Sequence, residues 1–122
     1  MRKIIPPPTA FASFTGSAEY AGNDDAALSR NLAENVDLPA IFRTLNQGVV
    51  PGLILTTSGG ETLICSGYSL MITADTIAVT FAPIKLFNIS VTVTLDRSNP
   101  GGDAAAVPNS EWWLTATTES LT

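Results

Sequence analysis

Side chains that could carry out catalysis are few in this sequence. No histidine is present, so neither a Ser-His-Asp triad nor a Cys-His pair can form, and zinc sites built from Cys and His are excluded. The single cysteine, Cys65, lies in the apolar run TLICS. This position predicts a small core residue and leaves no partner for an intrachain disulfide. Any catalysis would therefore depend on carboxylates.

Two pairs of acidic residues are the remaining catalytic candidates, Asp24 with Asp25 and Glu34 with Asp37. Two carboxylates can act as the acid and the base of a glycosidase. Both pairs, however, lie in a segment with helical periodicity, where acidic side chains cap helix ends and face solvent. We therefore predict no catalytic residue, no cofactor and no enzymatic activity.

The loop DRSNPGGD places three hard oxygen ligands close together in the sequence, Asp96, Asn99 and Asp103. Carboxylate and amide oxygens are the ligands that Ca²⁺ prefers. The spacing departs from that of an EF-hand, because Ser98 and Pro100 stand where ligands are needed. Asp, Asn, Pro and Gly also build turns for backbone reasons alone. A plain turn is the favoured interpretation, and a weak calcium site is the alternative.

The scarcity of charge is the main compositional signal. Charged residues make up 14% of the 122 residues, whereas globular proteins usually contain about 25%. A charge-poor surface indicates that much of it contacts other protein. A Thr- and Ser-rich monomer kept soluble by its net charge of −5 is the alternative. The acidic balance argues against nucleic acid and anionic membranes as partners, because both require clustered cations.

Residues 1–8 predict an extended, proline-rich arm. Three consecutive prolines fix φ and remove amide donors, and the two isoleucines before them need a surface to bury against, such as a neighbouring subunit. The prolines also interrupt the apolar segment that an export signal requires. No stretch approaches the roughly 20 apolar residues of a transmembrane helix.

Helical periodicity is concentrated at about residues 24–47. Asn23 or Asp24 can cap a first helix through DAALSRNLAEN, and a second helix can begin after Asp37 and stop at Gly48. The rest of residues 9–122 then forms a single β-rich domain with this helical insertion.

From Val49 onward the apolar period changes to two, and β-branched residues dominate. GLILTTSGGETLICS predicts a hairpin with a two-residue turn at Gly59 and Gly60, in which Leu53, Leu55, Leu63 and Cys65 share a face. NISVTVTL is the clearest strand, and because it carries no lysine or proline to block pairing, we expect its edge to be covered by other protein. The fold class is mainly β, a small antiparallel β-sandwich or barrel with a short helical segment near the N-terminal third.

Two adjacent tryptophans in EWWLTATTES would point to opposite faces of a last strand, so that one enters the core and the other is available as an interface anchor. The alternative is that the chain's own loops partly cover both. The expected interface residues are Ile4, Ile5, Pro6, Pro7, Pro8, Phe11, Trp112 and Trp113.

These features favour a non-enzymatic structural subunit that docks on other protein subunits, forms a homo-oligomer, and uses its arm and strand edges as contacts. In composition, the chain resembles the small decoration or cement proteins of tailed-phage heads. The resemblance rests on no motif and implies a virion protein made in the host cytoplasm. A phage tail or fibre subunit is one alternative, and a lectin-like or receptor-binding β-module using Trp112 or Trp113 with Tyr68 is another.

Overall fold

The computed structural model describes residues 12–84 and 87–121, so the expected arm of residues 1–8 and Phe11 lie outside the described residues. One turn of 3-10 helix spans Ala18–Tyr20. The strands and helices, in chain order, are β1 (Ser13–Ser17), α1 (Asp25–Asn35), α2 (Leu38–Asn46), β2 (Gly52–Thr56), β3 (Thr62–Cys65), β4 (Gly67–Ile72), β5 (Thr76–Ile84), β6 (Ile89–Asp96), β7 (Ala105–Ala106) and β8 (Trp113–Ser120).

The strands form two sheets, which confirms the prediction of a mainly β fold. The first sheet has the order β1-β2-β3 and the second the order β4-β5-β6-β8-β7. The expected alternative of a closed barrel is wrong, because each sheet ends in separate edge strands. The expectation of an entirely antiparallel fold also needs correction, since β1 and β2 pair in parallel. A parallel pair needs a long crossover, and α1 and α2 supply it.

Both predicted helices are confirmed, and each begins at an aspartate cap. The Asp24 carboxylate accepts hydrogen bonds from the backbone N–H groups of Ala26 and Ala27, at 3.0 and 3.2 Å. The Asp37 carboxylate accepts one from the N–H of Ala40 at 3.2 Å. These bonds satisfy amides that have no partner within the first turn.

Buried residues of both sheets and of α1 form one core. On β6 every apolar residue from Ile89 to Leu95 is buried and the residues between them are half-buried, as the period of two predicts. Phe14 of β1 and Phe81 of β5 meet edge to face across the two sheets, with ring centroids 6.0 Å apart.

The opposite face of the second sheet carries hydroxyl groups that bond to one another across strands. The Thr80 and Thr92 hydroxyl oxygens lie 3.3 Å apart, and the Thr76 hydroxyl donates to the Asp96 carboxylate at 2.9 Å. Cross-strand pairs of this kind stabilise a sheet modestly. Within NISVTVTL, the Thr92 side chain therefore has a partner on the neighbouring strand.

The predicted β2–β3 hairpin is present, but its turn is longer than the expected two residues. The Gly60 N–H donates to the Thr57 carbonyl at 3.0 Å, and the Thr57 N–H donates to the Glu61 carbonyl at 2.9 Å. Gly60 has a φ of 88°, whereas Gly59 is not among the glycines with positive φ. A three-residue loop with one left-handed glycine thus replaces the expected turn.

The expected shared face of this hairpin is confirmed, since Leu53 pairs with Cys65 and Leu55 with Leu63. Neither helix in the described ranges is long and apolar enough to cross a membrane.

Helix α1 covers the free edge of β8. The Ser29 hydroxyl accepts a hydrogen bond from the Ala116 N–H at 2.8 Å and donates one to the Asp25 carbonyl at 2.7 Å. The Asp25 carboxylate accepts bonds from the Thr118 N–H at 3.3 Å and the Thr118 hydroxyl at 2.7 Å. Along the part of β8 that β7 does not reach, side chains of α1 therefore occupy the position at which a further strand would pair.

We predict that Ser29→Ala lowers the free energy of unfolding by about 1–3 kcal/mol, because the buried Ala116 N–H loses its acceptor. Ser29 is fully buried. Urea denaturation measures the change. The control is Ser98→Ala at an exposed loop position, for which a change within about 0.5 kcal/mol is expected. Equal effects of the two substitutions would show that the bond to β8 contributes nothing.

We predict that Gly67→Ala destabilises the fold by about 1–3 kcal/mol through overpacking. Gly67 starts β4 where the chain passes from one sheet to the other, and a Cβ there would overlap the Pro51 carbonyl oxygen and lie 3.1 Å from the Val79 Cγ1. Gly59→Ala is the control, since its Cβ would meet only the Thr57 Oγ1, at 3.9 Å. The midpoints of thermal unfolding are compared. If Gly67→Ala and Gly59→Ala both unfold at the temperature of the parent protein, overpacking does not explain the glycine at position 67.

Candidate protein-interaction surface

The acidic residues that were weighed as catalytic pairs have structural contacts. Asp24 and Asp37 cap the two helices, and Asp25 holds the edge of β8. Glu34 is exposed on α1. Capping, the interpretation favoured from the sequence, is therefore confirmed for Asp24 and Asp37.

The loop that was weighed as a calcium site is a set of turns with hydrogen bonds of its own. Asp96 ends β6 and accepts from Thr76, while the Asn99 side-chain oxygen accepts from the Gly101 N–H at 2.8 Å. Asp103 is exposed. Within the described part of the chain, no group of three or more Cys, Asp or Glu side chains is placed to hold a metal ion.

Cys65 is a core residue, as its apolar setting predicted. It lies at the end of β3 and is 6% exposed. Burial raises the pKa of the Cys65 thiol above its ordinary value, because the thiolate is poorly solvated there. A thiol with a raised pKa is a weak nucleophile at neutral pH.

The two tryptophans lie on opposite sides of the second sheet, as the alternation predicted. Trp113 pairs with Asp96 and Ala106 and is on the face opposite the buried Leu114. The Trp112 ring packs against Phe42 of α2, with centroids 5.4 Å apart. Both indoles are half-buried, which agrees with the alternative that the chain itself partly covers both.

Arg97 also contacts the Trp112 ring. Its guanidinium carbon lies 5.3 Å from the centroid of the Trp112 ring, and its Nη1 is 3.0 Å from the Glu111 carboxylate. Tyr68 is remote from Trp113, because β5 and β6 lie between their strands. Tyr68 and Trp113, one of the two pairs named for a lectin-like site, therefore do not lie side by side.

The Phe42–Trp112 cleft is a depression of about 620 Å³ beside these rings. Its lining residues are Val36, Asp37, Leu38, Pro39, Phe42 and residues 107–112. One wall is a closed turn, in which the Val107 N–H donates to the Trp112 carbonyl at 2.9 Å and the Trp112 N–H donates to the Ser110 hydroxyl at 3.1 Å. A second depression, of about 290 Å³, shares Phe42 and Trp112 and reaches Ile72 at the end of β4.

The expectation that NISVTVTL presents an open edge is wrong. This segment forms β6, which lies in the middle of its sheet and pairs with β5 on one side and β8 on the other. It needs no charge to block further pairing, because it has no free edge.

The helices cover the edges on one side of the molecule. At β8, α1 supplies Ser29 and Asp25, as described above. At β1, the Asn31 side chain of α1 accepts from the Ser17 N–H at 2.7 Å, and the Thr44 hydroxyl of α2 accepts from the Ala12 N–H at 3.0 Å. An additional strand has no access to these amides.

Apart from the two-residue strand β7, the other edges belong to β3 in the first sheet and β4 in the second, which follow each other in the chain. In the described part of the chain, no strand pairs with the outer side of either. We call residues 62–72 the β3–β4 edge. It includes four of the exposed large apolar side chains, namely Ile64 at 75%, Tyr68 at 63%, and Met71 and Ile72 at 55% each.

The β3–β4 edge also lacks charge, since no Asp, Glu, Lys or Arg occurs between Glu61 and Asp75. Free edge strands are normally protected by charge, proline or a covering segment. Sequence reasoning missed this surface, although the uncharged run was visible. The signal that could have found it is the absence of charged side chains from the second strand of the hairpin through the strand that follows it.

No protein-family model matches the chain, and no curated protein or solved structure matches it either.

Proposed function

We propose that this chain is a non-enzymatic structural subunit of a larger assembly, and that it docks on neighbouring subunits through the β3–β4 edge. The observation that carries the proposal is the uncharged edge of two adjoining strands with Ile64, Tyr68, Met71 and Ile72 exposed on it. An edge strand of this kind can accept an additional strand.

Backbone and side chains would contribute separately to such docking. The outer N–H and C=O groups of β3 and β4 supply a ladder that is independent of sequence, and the exposed apolar side chains supply selectivity. Burying one large aliphatic side chain contributes about 1.5–3 kcal/mol. Because the edge carries no charge, a neutral partner strand can approach it without desolvating an ion.

The compositional resemblance to decoration proteins of tailed phages favours a virion as the assembly, with the chain repeated in many copies. A tail or fibre subunit is the alternative within the same class. The arm of residues 1–8, with Ile4 and Ile5, is a second docking element proposed from the sequence. A lectin-like module is less well supported, because Tyr68 and Trp113 lie on strands separated by β5 and β6.

We predict that Ile64→Lys reduces incorporation of the chain into particles by at least about tenfold. Lost burial of this side chain costs about 1.5–3 kcal/mol at the interface, and about 1.4 kcal/mol corresponds to tenfold in affinity. Tagged variants are produced in the native source, particles are purified, and the copies per particle are measured by quantitative mass spectrometry.

The control is Ser98→Lys, which introduces the same charge at an exposed loop position away from the edge. Both variants should unfold like the parent, because Ile64 is 75% exposed. Parental incorporation of Ile64→Lys, or a parent chain that is never found in a particle and stays monomeric at high concentration, would refute the proposal.

A further inference from the structure

The Phe42–Trp112 cleft has the properties of a site for a proline-rich segment. Its floor combines two aromatic rings, Phe42 and Trp112, with centroids 5.4 Å apart and planes inclined by 53°. Aromatic-lined grooves bind polyproline segments, whose extended conformation loses little entropy on binding. The hydrogen-bonded turn of residues 107–112 holds one wall in place before any ligand arrives.

The cleft is acidic in its charged groups. Asp37 and Glu111 line it, and none of the described lining residues is basic. Residues 1–11 contain Arg2 and Lys3, two of the chain's six basic residues, and none of its eleven acidic residues. Glu111 is already paired with Arg97, so the basic N-terminal segment complements chiefly the charge of Asp37.

The N-terminal segment also emerges close to the cleft. The Ala12 N–H is bonded to the Thr44 hydroxyl at 3.0 Å, and Thr44 lies on α2 two residues after Phe42. Pro8 precedes Ala12 by four residues, so it can lie at most about 14 Å from it. The Trp112 ring packs against Phe42, so the cleft is formed on the same helix to which Ala12 is bonded.

We propose that in the free chain Pro6, Pro7 and Pro8 bind the Phe42–Trp112 cleft of the same molecule. The short tether gives the segment an effective concentration in the millimolar range, which favours its own cleft over that of another copy. This inference goes beyond the proposed function and holds whether or not the β3–β4 edge mediates assembly. It assigns the cleft an occupant and gives the proline segment a role in the unassembled protein.

The test uses a synthetic peptide of residues 1–11 and two proteins, the full chain and a chain lacking residues 1–8. Both proteins carry Trp113→Phe, so that Trp112 is the only indole and its fluorescence reports the cleft. We expect the peptide to change the Trp112 emission of the shortened chain in a saturable way. The full chain should need at least about tenfold more peptide, because its own segment competes at millimolar effective concentration.

A control peptide in which the three prolines are replaced by alanine should bind the shortened chain at least about fivefold more weakly, since it lacks the preformed polyproline conformation. Circular dichroism checks that the shortened chain remains folded. Three results would overturn the inference: no peptide binding to the folded shortened chain, equal binding by both proteins, or equal binding of both peptides. A full chain whose Trp112 emission changes with protein concentration would also overturn it, because the segment would then bind between molecules.

Discussion

Hydrogen bonds that α1 side chains accept from backbone amides of β8 determine which parts of this molecule remain open. Ser29 and Asp25 accept from the N–H groups of Ala116 and Thr118 and thereby cover the part of β8 that β7 does not pair with. Asn31 does the same for Ser17 at the start of the chain. A buried amide without a partner is costly, so the helical insertion fixes one side of both sheets. In the described part of the chain β7 is an edge strand of only two residues, so the longer edges without a pairing strand or a covering helix are those of β3 and β4.

This asymmetry relates the scarcity of charge to a particular surface. On the hydroxyl-rich face of the second sheet, Thr80 and Thr92 bond to each other across the strands. The uncharged run after Glu61 leaves Ile64 three-quarters exposed. The low content of ionic residues therefore appears on two different surfaces, a hydroxyl-bearing sheet face and an apolar edge suited to other protein.

Local signals in the sequence predicted local structure well. The aspartate caps, the two helices, the alternation of β6 and the shared face of the hairpin follow from periodicity and capping chemistry that act within a few residues. The position of each strand in its sheet could not be predicted in this way. NISVTVTL reads as the strongest strand whether it lies at an edge or at the centre, because only its long-range partners, β5 and β8, decide between the two. The Phe42–Trp112 cleft likewise joins residues distant in sequence.

The contact between α1 and β8 has a consequence for biosynthesis. The Ser29 hydroxyl and the Ala116 amide are separated by 87 positions, so the helix leaves the ribosome long before its docking partner is translated. Contacts of such long sequence separation slow folding. Until β8 is complete, the nascent polypeptide exposes the apolar side of α1 and an unfinished sheet, and such surfaces favour aggregation. A ribosome that stalls within the last strand would release a chain unable to close its core.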